Sequence, residues 1–95
     1  MTTRNPTHAD FSARLGNAFE VQVAEHCVSM TLEGVQELPD SGREGGSFRL
    51  EFLGPSDQFL GQGMFPFLSG GERFDLFIVP VGQDGDRIRY EAIFF

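Results

Sequence analysis

The chain has almost no cysteine, and this scarcity bears on the cellular compartment in which we expect the protein. Its 95 residues include a single cysteine, Cys27, so no disulfide can form within the chain. Secreted domains of this size usually carry several. No apolar run approaches the roughly 20 residues that span a bilayer, and residues 1–8 lack the apolar segment of a signal peptide. We therefore expect a soluble, cytoplasmic protein that does not contact a membrane.

Lysine is absent altogether, and the basic residues are seven scattered arginines. The formal net charge is −7. A nucleic-acid-binding domain usually gathers its basic residues on one face, and an anionic membrane surface repels an acidic protein. The composition predicts that the chain binds neither nucleic acid nor a membrane. A protein partner, or a second copy of the chain in a homodimer, is expected instead on the apolar face described below.

The hydrophobic content suffices for one core. Hydrophobic residues make up 40% of the chain and include eleven phenylalanines. A chain of this length buries roughly 60–70% of the surface that it exposes when unfolded, and each buried Phe contributes roughly 1.5–3 kcal/mol. We predict a flexible tail at residues 1–6 and a single β-barrel-like domain at residues 7–95, which folds without a metal or a disulfide.

A short helix is predicted near the N-terminus. Thr7 is a good N-cap, and Asp10 follows three residues later, as in a capping box. Phe11 and Leu15 are four residues apart, so they share one helix face, and Gly16 can end the helix. Two turns do not persist alone in water. The Phe11 and Leu15 face should therefore dock on the open end or the flank of a sheet.

After Gly16 the hydrophobic period changes to two, which is typical of half-buried strands. The predicted strands are 19–24, 28–38, 48–52, 64–68, 73–81 and 87–95. Short hairpin turns are expected at 25–26 and 82–85, and a long polar loop at 39–46. Pro66 cannot donate to a ladder, so the fourth strand should lie at an edge or carry a bulge. The pattern predicts a mainly β fold: a small antiparallel six-stranded barrel or a two-sheet sandwich with one short N-terminal helix.

The residues that carry chemistry form no recognisable site. His26 and Cys27 are adjacent, and adjacent strand residues point to opposite faces, so they do not make a nucleophile–base pair. A structural zinc site needs four ligands, and the glycine-rich segments match neither a P-loop nor a dinucleotide-binding motif. We predict that the protein is not an enzyme, with no catalytic residues, no cofactor and no metal.

One face carries more apolar residues than a plain alternating strand requires. Polar residues would be expected at four positions that are apolar here: Phe77, Val79, Ile93 and Phe95. Either the short helix covers them, or they are a subunit or partner interface, since contiguous exposed apolar patches usually bind something. These four residues are the candidate interface.

A second candidate contact surface begins at Phe59 and Leu60 in a predicted loop. It continues through the apolar residues of 64–68.

Several segments of the chain resemble a family of roughly hundred-residue bacterial domains of unknown function. They are FRLEFLGP at 48–55, LGQG at 60–63, FDLFIVPVG at 74–82 and YEAIF at 90–94. The closing hairpin is the most specific part, and the chain departs from the family pattern at 64–71. The resemblance supplies no catalytic residues, and it implies an accessory role in a phage-tail-like assembly.

The sequence thus predicts a non-enzymatic structural or protein-interaction module. The alternative is a small-ligand-binding β-barrel, which is suggested by the high phenylalanine content. That alternative requires an internal cavity, because small barrels otherwise fill with their own side chains.

Overall fold

A computed structural model describes residues 7–39 and 47–94. The elements are α1 His8–Ser12, β1 Ala18–Val23, β2 His26–Glu37, β3 Phe48–Pro55, β4 Gly63–Ser69, β5 Glu72–Asp84 and β6 Arg87–Phe94. The predicted tail at 1–6, residues 40–46 of the predicted loop, and Phe95 of the candidate interface lie outside the described residues.

The strands of the described chain close into one barrel, in the order β1-β2-β3-β6-β5-β4. Every neighbouring pair is antiparallel. Strands β1 to β3 form one meander and β4 to β6 form a second. Two seams, β3–β6 and β1–β4, join the meanders. The prediction of a mainly β fold with a six-stranded antiparallel barrel is confirmed, and of the two architectures left open the barrel is the one observed.

Inward-facing side chains fill the barrel. Burial alternates along β3, with every second residue from Phe48 to Gly54 buried. The Phe52 ring lies 5.4 Å from the Phe19 ring and 4.8 Å from the Phe67 ring, so rings from three strands meet across the interior. Other buried members of this core are Val21, Val28, Met30, Leu32, Leu50, Leu76, Ile78 and Ala92.

The helix begins as predicted and ends early. The Thr7 hydroxyl accepts from the Asp10 N–H at 3.3 Å, and the Asp10 carboxylate accepts from the Thr7 N–H at 2.9 Å. The helix ends at Ser12, and Leu15 beyond it is 53% exposed. The prediction that Leu15 docks with Phe11 is therefore wrong. The chain turns directly after the helix, and the Gly16 N–H donates to the Leu32 carbonyl at 2.8 Å, which leads into β1.

Phe11 inserts into one end of the barrel. Its ring lies 5.0–6.2 Å from four rings on four different strands, those of Phe19, Phe48, Phe74 and Phe94. The helix thus closes the barrel end and does not cover the outer face, where Phe77 remains 47% exposed. Helix cover of the second apolar face, one of the two alternatives, is wrong.

The opposite end of the barrel is closed by residues 56–62, which link β3 to β4. Leu60 in this loop is buried, and its N–H donates to the Tyr90 hydroxyl at 2.9 Å. Tyr90 is fully buried, so this hydrogen bond satisfies a polar group that would be costly to leave unpaired. The loop is fixed at a defined place over the barrel.

The β5–β6 hairpin turns later than predicted. Strand β5 continues to Asp84, and the turn consists of Gly85, at φ 63°, and Asp86. The predicted turn at 82–85 is wrong because a bulge shifts the register between Pro80 and Gly82, and pairing then resumes at Gly82↔Arg89. Such a bulge bends the strand without ending it.

Candidate functional site

An apolar patch lies on the outer surface of β4, β5 and β6. Met64 is paired directly with Phe77. Val79 of β5 pairs with Glu91 of the antiparallel β6. If this register is continued by two residues on each strand, Phe77 lies opposite Ile93. Met64 is 63% exposed, Phe77 47% and Ile93 46%. We call these three residues, with the half-buried Val79 beside them, the Phe77 patch.

The alternation of β5 explains why Phe77 points outward. Phe74, Leu76 and Ile78 face the core and are buried, so the residue between the last two must face away from it. The structure therefore brings together three members of the candidate interface, Phe77, Val79 and Ile93.

Met64 also belongs to the patch, although the sequence interpretation grouped it with Phe59 and Leu60. That second candidate segment is divided in the structure. Leu60 and Phe67 are in the core, and Phe59 is 61% exposed in the loop. Alternation in β4 indicates that Met64 faces outward. Its position beside Phe77 depends on the β4–β5 register, which no local pattern specifies.

Alternating charges lie next to the patch, on the outer surface of β3 and β6. Glu51 and Glu91 stand directly opposite each other in the ladder, an arrangement that is unfavourable without compensation. Arg49 lies 3.1 Å from Glu91 and 3.5 Å from Glu51, and Arg89 lies 3.5 Å from Glu51 and 2.9 Å from Asp84. We call these five residues the charge lattice. Each arginine pairs with a carboxylate on a neighbouring strand, and Arg49 also lies near Glu51 of its own strand.

The described residues offer little chemistry beyond these contacts. No three His, Cys, Asp or Glu side chains among them are placed to hold a metal ion. His26 and Cys27 are both exposed, and the buried Tyr90 hydroxyl is occupied by the Leu60 N–H. No helix in the described ranges is long and apolar enough to cross a membrane.

The outside of the barrel carries grooves among the described residues, of which two lie beside strand ends. One, of about 400 Å³, lies where β1 begins and β4 turns into β5, and its lining includes Ala18, Glu20 and Leu68. The other, of about 550 Å³, lies between the first half of β2 and the end of β3. The interior itself is occupied by the phenylalanine rings of the core. This filling argues against a ligand site inside the barrel.

The sequence comparisons give one family. The profile of a family described as "Domain of unknown function (DUF6916)" matches residues 6–94. This confirms the resemblance to an uncharacterised domain family. No curated protein and no solved structure gives a significant match.

Proposed function

The chain belongs to the DUF6916 family, and we propose that it is a non-enzymatic protein-interaction module that docks through the Phe77 patch. One observation carries this proposal. Met64, Phe77 and Ile93 are aligned across adjoining strands and remain 46–63% exposed, while the helix that could have covered them closes a barrel end instead. Aligned apolar side chains on an outer face lose unfavourable contact with water when a partner covers them.

The partner that we propose is a second copy of the chain. A stable dimer buries about 800 Å² on each partner, which three half-exposed side chains cannot supply alone. The charge lattice beside the patch extends the available surface. Its alternating arginines and carboxylates are self-complementary, because a two-fold rotation can set Arg49 of one copy against Glu91 of the other.

Sedimentation velocity over a wide concentration range tests the dimer. We expect the wild-type chain to dimerise and Phe77→Gln to remain monomeric. The matched control is Phe59→Gln, which removes a phenylalanine that is more exposed than Phe77, 61% against 47%, from the loop and should dimerise normally. A wild-type chain that stays monomeric at the highest concentration, or an equal effect of both variants, would contradict the proposal.

Salt separates self-association from binding to a basic partner. Each copy carries a net charge of −7, so two copies repel one another and added salt should strengthen an apolar dimer. Binding to a basic partner would weaken in the same titration. Dimerisation that declines as salt rises would indicate that the charge lattice, and not the Phe77 patch, supplies most of the association energy.

A narrower form of the proposal is an accessory role in a phage-tail-like assembly, and it rests on the sequence resemblance alone. Affinity purification from the native host with wild-type and Phe77→Gln baits tests it. We expect tail-like proteins with the wild-type bait and their loss with the variant. If no tail-like protein is recovered with the wild-type bait, the narrower role fails and the interaction module stands on the dimer experiment.

A further inference from the structure

In the part of the chain that the structure describes, strand β2 has a neighbour on only one side along its first half. Strand β1 pairs with β2 from Val23↔His26 to Ala18↔Thr31. Pairing with β3 begins only at Thr31↔Leu53 and continues toward the end of β2. Within the described ranges, residues 26–30 of β2 therefore form a strand edge on the side that faces β3.

The orientation of the backbone identifies the groups exposed at this edge. The Leu32 N–H donates to the Asn17 carbonyl, on the β1 side of β2. Successive residues of a strand direct their N–H and C=O groups to opposite sides, so Val28 and Met30 also face β1. Cys27 and Ser29 then direct their N–H and C=O groups toward β3, and both residues are exposed.

A proline explains why the β2–β3 ladder stops. The register continued from Thr31↔Leu53 would set Ser29 opposite Pro55, which has no N–H to donate. The next residue, Ser56, donates its N–H to the Asp86 carbonyl at 3.1 Å. This hydrogen bond holds the end of β3 toward the β5–β6 turn and away from β2, and the groove of about 550 Å³ lies in the space between them.

The lining of the groove suits a peptide backbone. The β2 side chains along it are short: Cys27, Ser29 and Thr31. They leave room for a chain beside the strand edge. The N–H and C=O groups of Cys27 and Ser29, which have no ladder partner within residues 7–39 and 47–94, match the hydrogen-bonding pattern of an added strand.

Arg87 at the rim of the groove lacks an ion-pair partner among the described residues. By contrast, Arg14, Arg49, Arg73 and Arg89 each lie within 3.5 Å of a carboxylate. Arg87 is exposed and lines the groove together with Asp86. An unpaired guanidinium attracts a carboxylate, and the adjacent Asp86 disfavours a ligand that carries several of them.

We propose that this groove binds an extended peptide segment of a partner protein, which adds as a strand to the edge of β2 and places one carboxylate at Arg87. In the barrel order, β2 and β3 lie across from β5 and β4. The β2–β3 part of the groove therefore lies across the barrel from Met64 and Phe77, and Arg87 at its rim is at the other end of β6 from Ile93. The inference goes beyond the proposed function and does not depend on dimerisation.

Selection from a library of random dodecapeptides displayed on phage provides the probe. The strongest binder, made as a synthetic peptide, is titrated into the wild-type protein and followed by calorimetry and by amide NMR. We expect the largest shifts, and new protection from hydrogen exchange, at the amides of Cys27 and Ser29. In the free protein these two amides should exchange faster than those of Val28 and Met30.

Two proline variants give a matched pair. Ser29→Pro removes an N–H that faces the groove and leaves the β1–β2 hydrogen bonds intact, so affinity should fall roughly tenfold or more. Gln22→Pro makes the same change on β1. The Gln22 N–H is directed toward β4, and Gln22 would lie opposite Pro66 if the β1–β4 register continued. This variant should leave peptide affinity unchanged. Circular dichroism of both variants checks that they fold.

The role of Arg87 has its own test. Arg87→Gln should lower the affinity for the same peptide by about two- to fivefold, and blocking the peptide's carboxylates should have the same effect on the wild type. The proposal is overturned if selection yields no peptide that binds more tightly than about 1 mM. It is also overturned if the wild-type amide shifts map away from Cys27 and Ser29, a readout that requires no variant to fold.

Discussion

The two seams that join the meanders differ greatly in length. The β3–β6 seam runs without interruption from Phe48↔Phe94 to Pro55↔Arg87. The β1–β4 seam consists of Glu20↔Leu68 and Val21↔Phe67. Both seams close the same barrel, so the contrast shows that two strands of a closed sheet can be joined by very few paired residues.

Proline accounts for one end of the short seam. If its register continued, Gln22 would lie opposite Pro66, which cannot donate a hydrogen bond. At the other end β1 and β4 border the groove of about 400 Å³. The core closes this side of the barrel instead, because Phe19 and Val21 of β1 and Phe67 of β4 are fully buried in one cluster.

The long seam is supported on both of its faces. Inside, the Phe48 and Phe94 rings stack at a centroid distance of 4.6 Å. Outside, the charge lattice spans β3 and β6. The comparison predicts that changes along the long seam alter global stability and that the short seam opens more readily.

The largest expected effect follows from truncating a ring at the end of the long seam. Phe48→Ala removes a fully buried side chain that packs on Phe94 and Phe11, so it should cost about 3–5 kcal/mol of unfolding free energy. Urea denaturation measures this loss. Phe59→Ala, at an exposed site, should change stability by less than about 0.5 kcal/mol. Equal losses would contradict the placement of Phe48 in the core.

The next effect concerns Gly54 of β3, where an added Cβ would meet side chains of the core. A Cβ at Gly54 would lie 3.2 Å from the Met30 Cγ and 3.3 Å from the Tyr90 Cε1. Since the Leu60 hydrogen bond holds Tyr90, Gly54→Ala should destabilise the protein by about 1–3 kcal/mol. Gly61→Ala is the control, because nothing lies within 4 Å of its added Cβ. Denaturation curves of the pair should differ, and a neutral Gly54→Ala would show that Met30 moves aside freely.

Hydrogen exchange compares the seams directly. The ladder amides of Glu20 and Leu68 should exchange roughly tenfold faster than those of Phe52 and Tyr90, because a short ladder opens without global unfolding. Amide-resolved NMR under native conditions measures both sets. Equal protection would mean that the seams open together, and the contrast in their lengths would then carry no dynamic consequence.

The smallest expected effect is in the charge lattice. Arg89→Gln removes ion pairs with Glu51 and Asp84 at a partly exposed site, so the loss should be about 0.2–1 kcal/mol. The loss should shrink in concentrated salt, which screens surface charges. A double-mutant cycle with Asp84→Asn isolates that pair. A salt-independent loss would indicate packing of the arginine stem and not charge.

Sequence periodicity predicted what is local. The prediction that Pro66 places β4 at a sheet edge or in a bulge is wrong: β4 pairs with β1 and β5 in the closed barrel without a register shift, and the β1–β4 ladder ends just before Pro66. Alternation, however, identified all the strands of the described chain, and the capping box of Thr7 and Asp10 is present. Each of these features depends on residues a few positions apart, where backbone sterics and side-chain hydrogen bonds decide the conformation.

Features that depend on register were not accessible from the pattern. The position of Met64 beside Phe77 and the β2 edge opposite Pro55 follow from how distant strands align. The bulge after Pro80 shifted a turn that composition placed too early. Leu15 had helical spacing from Phe11, yet the helix ended before reaching it. Tertiary pairing overrode the local signal in each case.

Phe11 has a consequence for the order of folding. The rings that surround it come from β1, β3, β5 and β6, so its binding site does not exist until both meanders have met. A five-residue helix cannot persist before that moment. We expect Phe11→Leu to accelerate unfolding and to leave the folding rate nearly unchanged in stopped-flow measurements. Helix α1, which precedes all the strands in the described chain, would then be the last element to form.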